Sequence, residues 1–79
     1  MSGAIDPDAA DIAYDLISAI IAEYSTLIAL AEPADAERLR AERARYIEER
    51  QDLGKTDPDR LRAILAEYPT VLASVRAGG

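Results

Sequence analysis

Apolar side chains recur every three to four residues from Ile12 to Ala31, and again from Leu61 to Val75. That spacing keeps them on one side of an α-helix, where they can be buried together. No run alternates apolar and polar residues for more than a few positions, and no Asn-Gly or Asp-Gly pair marks a hairpin turn, so no strand is predicted. Prolines divide the pattern. Asp6-Pro7-Asp8 and Asp57-Pro58-Asp59 repeat one another. In each, the aspartate can accept orphan backbone N–H groups, proline has the φ of a first helical residue, and the second acid complements the positive end of the helix dipole. Glu32-Pro33-Ala34-Asp35 is a looser version of the same signal. Gly54 and Gly78-Gly79 supply stops, and the intervals are rich in the good helix formers Ala, Leu, Arg and Glu. The spacing predicts helices over about 7–31, about 34–53 and about 57–77, in a single domain over residues 1–79. The predicted fold is a small antiparallel all-α three-helix bundle.

Pro69 falls inside the third pattern. It removes one backbone donor and crowds the carbonyl four residues earlier, which kinks or breaks a helix. The stripe Leu61, Ile64, Leu65, Tyr68, Leu72 and Val75 nevertheless stays in phase across it. A kinked but continuous third helix is therefore predicted in place of a chain reversal.

The faces of the helices differ. At 100° per residue the first helix carries apolar residues over about 200°, wider than the stripe of roughly 100° or a little more that a rim helix needs. Two flanking helices would cover most of that arc. The part bearing Tyr14, Ile17, Ile21, Tyr24 and Ile28 is the candidate for docking another protein or a second copy of this one. The second helix is the reverse case, with a seam of Leu39, Tyr46 and Leu53 into which Arg43 and Arg50 intrude. Folding the first helix back onto the second at Pro33 sets Leu27 against Leu39, Ile20 against Tyr46 and Glu23 against Arg43. Glu23 and Arg43 are expected to form a partly buried ion pair that fixes register more than it adds stability. Arg50 is expected near Leu16, with Asp15 in reach.

Composition narrows the chemistry. The 79 residues include no Cys, His, Trp or Phe, which removes thiol nucleophiles, His-based triads and the usual zinc and haem ligands. No disulfide can form, and a reducing cytoplasm is the default setting. No base precedes Arg38, so the basic n-region of a signal peptide is lacking. The apolar run Leu16–Ala31 is interrupted by Glu23 and is shorter than the roughly 20 residues of a bilayer span. A soluble, cytoplasmic protein is expected.

Each remaining motif has a plainer reading. Asp6, Asp8 and Asp11 sit close together, but a calcium loop needs glycine where Asp11 stands and a closing glutamate; helix capping accounts for them. Glu48 and Glu49 diverge by 100° on a helix and lack a Glu-x-x-His partner, so no metal or other cofactor is expected. Arg38, Arg40, Arg43, Arg45 and Arg50 are interleaved with Glu37, Glu42, Glu48, Glu49 and Asp52. With a formal net charge of −6, phosphate would repel the domain, and nucleic-acid binding is not expected. The charge is also unevenly placed, with eight acids and no base before Arg38, then nine bases and seven acids.

The chain lacks an arginine in its first helix, unlike chorismate mutases, and has no Asp-Ser-Leu, unlike acyl carrier proteins. A catalytic role is not expected. In size, acidity and gross architecture alone it resembles antitoxins, immunity proteins and other dedicated inhibitors, among them the three-helix antitoxins of zeta-type kinases. That resemblance implies a small acidic module that docks on one partner protein. The alternative is a self-assembling structural subunit that uses the same helix face on a two-fold axis.

Overall fold

A computed structural model of the chain describes residues 8–78. It contains three helices, α1 (Ala9–Leu30), α2 (Pro33–Gln51) and α3 (Pro58–Arg76), with a single 3-10 turn at Leu53–Lys55 between the last two. No strand occurs among the described residues. The all-α three-helix bundle predicted from the pattern is the fold observed. Asp6 and Pro7, the expected opening of the first helix, lie outside the described residues, as does Gly79.

The boundaries follow from local chemistry. Asp57 caps α3 by accepting a hydrogen bond from the Arg60 backbone N–H at 2.9 Å, and Pro58 follows with its φ already set. Pro33 opens α2 without a side-chain cap from Glu32. α2 stops at Gln51, two residues before the predicted end, and Leu53 is buried by the 3-10 turn that follows it. Gly78 closes α3 at φ +100°, a conformation natural to glycine and costly for residues with a Cβ. α3 runs unbroken through Pro69. Pro69 is exposed on the outer face, where solvent can bind the Leu65 carbonyl left without its helical donor.

α1 is the central helix and packs against both others. Ile17, Ile20 and Ile64 are fully buried, and the core around them holds Ala9, Ala13, Leu53, Leu61 and Val75. Three tyrosines, one per helix, tie the bundle together. Tyr24 stacks on Tyr46 with ring centroids 5.7 Å apart, and Tyr46 meets the edge of Tyr68 at 5.6 Å. α2 contributes little apolar burial, with only Ala36 fully inside and Leu39 and Tyr46 packed at the edge. α1 is also long and apolar enough to cross a membrane by length and composition. That differs from the expectation drawn from Leu16–Ala31, because Ala9–Asp15 extends the helix by almost two turns.

The predicted height of the α1–α2 pairing holds to within a few residues. Tyr24 reaches Glu42, Ser25 reaches Arg43, and Ser18 reaches Arg50. The predicted ion pair does not form. Glu23 pairs with Arg76 of α3 at 3.4 Å, while Arg43 donates to the Ser25 hydroxyl at 2.9 Å. Antiparallel pairing sets only the height at which residues meet. Glu23 and Ser25 lie 160° apart around α1 at 100° per residue, so Glu23 turns toward α3 and Ser25 toward α2. Arg50 donates to Ser18 at 3.1 Å and stacks its guanidinium 5.3 Å from the Tyr14 ring centre, in place of the expected approach to Asp15.

Candidate functional site

The strip Tyr14, Ile17, Ile21, Tyr24 and Ile28 is where the sequence placed a docking face. Ile17 and Tyr24 belong to the chain's own core, and Ile21 packs against it. Tyr14 lies beneath Arg50 of α2, and Ile28 is half-buried. Most of this flank of α1 is the seat of α2, and Tyr14, 48% exposed, is the one residue of the strip that stays open. The polar residues along it explain why: Ser18 and Ser25 bond to arginines of α2, so α2 is held there by hydrogen bonds that hydrophobic patterning does not register.

Further exposed apolar surface lies on the α3 side of α1. Leu30 is 81% exposed and Ile12 54%. The two are 18 residues apart, five whole helical turns, and so share one angle around α1. α3 lies along that side but ends early. Its last turn carries Arg76, whose side chain reaches Glu23, and α1 continues seven residues beyond Glu23 to Leu30, about 10 Å of helix at 1.5 Å per residue. The hairpin of α1 and α2 therefore overhangs the end of α3.

The overhang encloses a groove of about 480 Å³. Leu27, Leu30 and Ala31 form one wall and Leu39 of α2 the other, and Val71 and Val75 of α3, with Gly78 just past its end, close the floor. Polar groups stand at the edge. Arg38 bonds Glu42 at 3.2 Å and approaches Asp35 at 3.8 Å. The Tyr24 hydroxyl donates to the other Glu42 oxygen at 3.1 Å. Burial, with Glu42 as a second cause, pushes the Tyr24 phenol up to about 12, so it stays a neutral donor.

A second, smaller recess of about 140 Å³ lies between α2 and α3, lined by Arg45, Tyr46, Glu49, Arg60 and Tyr68. Arg60 donates to Glu49 at 2.6 Å and to the Tyr68 oxygen at 2.9 Å, and the Tyr68 hydroxyl donates to the remaining Glu49 oxygen. Burial first and Glu49 second raise the Tyr68 phenol above its ordinary range. The hydrogen bond to Glu49 likewise raises Arg60. The cluster is a charge-assisted lock between helices. Among the described residues no group of acids, Cys or His is arranged to hold a metal.

Fold and groove together define the class: a small all-α three-helix bundle whose helical hairpin overhangs its third helix. No family model, curated protein or solved structure matches the chain.

Proposed function

We propose that this chain is a non-catalytic module that binds one protein partner through the groove at the overhanging end of the bundle. The observation that carries this reading is Leu30, a large aliphatic side chain 81% exposed at the mouth of a groove that mixes apolar and polar lining, in a chain with a thin core. Exposed apolar surface rimmed by polar groups is the common signature of a protein contact. The acidic first half of the sequence would raise the on-rate toward a basic partner. In size and acidity the module suits a dedicated inhibitor of the antitoxin or immunity type, acting in the cytoplasm.

The test compares the tagged chain with its Leu30→Asp variant in a native lysate. A stoichiometric protein captured by the first and lost by the second, with unchanged helical circular dichroism, supports the reading. Equal capture by both, or none by either, overturns it. Light scattering on the purified chain separates the alternative of self-assembly: a homodimer that Leu30→Asp dissociates would make the groove a self-contact.

A further inference from the structure

We infer that the groove takes a short amphipathic helix of another protein, about two turns long, carrying two bulky apolar anchors on one face and lysine or arginine beside them. The inference rests on the protein-binding reading above and names the chemistry of the occupant.

Shape sets the first term. The groove runs along the last turns of α3 and past its end: α1 and α2 supply two walls, and Val71, Ser74 and Val75 supply the floor. The overhang of about 10 Å accommodates roughly two helical turns. Leu27, Leu30 and Leu39 along the walls present apolar surface for two side chains spaced three or four residues apart, the spacing by which a helix seats in a groove.

Charge sets the second. Three helix ends meet at the groove: the C-termini of α1 and α3 carry the negative ends of their dipoles, and the N-terminus of α2 carries a positive end that Asp35 in its first turn offsets. α1 has no basic residue in its last turn. α3 has Arg76 there, but that side chain is drawn to Glu23. The rim adds Asp35 and Glu42, which share Arg38 as their cation, and Glu32 and Glu37 stand exposed in the same segment. Neutralising this end from outside calls for a cation on the partner. A second copy would bring the same acids against these, so the charge favours a different protein over self-pairing.

A displayed library of random peptides about 16 residues long, selected on the full immobilised chain, tests the inference. The expected consensus is an apolar pair at i, i+3 or i, i+4 with lysine or arginine nearby. Exchanging those bases for glutamate should weaken binding about tenfold or more, as should Leu30→Asp, while added salt weakens it several-fold. Ile12→Asp, at the opposite end of α1, should leave binding unchanged and serves as the control for folding. Recovered peptides that are acidic, lack helical spacing or bind the Leu30→Asp variant equally well overturn the inference, and so does failure to enrich any sequence. A lysate partner that depends on Leu30 but docks through a segment without bases would defeat this inference and leave the protein-binding reading standing.

Discussion

Ile17→Ala and Leu30→Ala remove similar aliphatic groups from the same helix, yet the structure assigns them very different costs. Ile17 is 0% exposed and Leu30 81%. Truncating a buried isoleucine to alanine costs about 2–5 kcal/mol, part lost transfer energy and part the cavity left behind. Ile17 shares the core cluster with Ala9 and Ala13, whose side chains are too short to relax into a void, which points to about 3–4 kcal/mol. The better helix propensity of alanine returns only a few tenths of a kcal/mol. Leu30→Ala gives up little burial and should cost under about 0.5 kcal/mol. A domain of 79 residues has a total stability on the order of 4–12 kcal/mol, so the first change consumes much of it. With a urea slope of about 1 kcal/mol per molar, the unfolding midpoint followed by circular dichroism should fall by about 3 M for Ile17→Ala. The fall for Leu30→Ala should be under about 0.5 M by the same slope. A midpoint shift for Ile17→Ala below about 1 M, or equal shifts for the two variants, would refute the placement of Ile17 in the core and of Leu30 outside it.

Further outcomes follow from the helices and the tyrosines. Pro69→Ala restores a backbone donor on an exposed position of a continuous helix and should raise stability by about 1–3 kcal/mol; a lowered thermal midpoint would contradict continuity through Pro69. Glu49→Gln removes the charge that holds Arg60 and Tyr68 together and should cost about 1–2 kcal/mol. A double-mutant cycle with Arg60→Gln should return a coupling of about 0.5–1 kcal/mol, since Arg60 is 47% exposed, and zero coupling would dissolve the proposed lock. The folded chain keeps the Tyr24 proton up to about 12, against an ordinary value of 10.0, and Tyr68 is shifted the same way. The folded state therefore binds protons that the unfolded state releases, and stability complete below pH about 10 should fall as pH rises toward about 12. Urea midpoints measured across that window should drop for the native chain and drop less for Tyr24→Phe. A flat profile would mean that the phenols are not buried as described.

Local chemistry in the sequence was enough for the helices. Pro33 and Pro58 mark helix starts, Asp57 caps as its type predicts, and the in-phase stripe from Leu61 to Val75 carried α3 across Pro69. Periodicity and the hairpin at Pro33 also set the height at which α1 and α2 meet, because rise per residue is the same in every helix. These are properties of a residue and its near neighbours, and no partner is needed to read them.

Tertiary structure decided which flank each residue faces and where each helix ends relative to the others. Glu23 bonds Arg76, 53 residues away, rather than Arg43, because lateral placement depends on where α3 lies. The wide apolar arc of α1 suggested a spare face along Tyr14, Ile21 and Ile28. Ser18 and Ser25 receive the arginines of α2 on that flank, and a hydrophobic wheel gives such bonds no weight. Further free apolar surface arises from a mismatch of length and offset, α1 continuing for about 10 Å of helix beyond Glu23, which Arg76 in the last turn of α3 reaches. Leu30 is ordinary in the sequence, one more leucine on an apolar helix. It becomes the most exposed large aliphatic side chain among the described residues because it stands at the end of α1, at the angle it shares with the exposed Ile12, where α3 gives little cover.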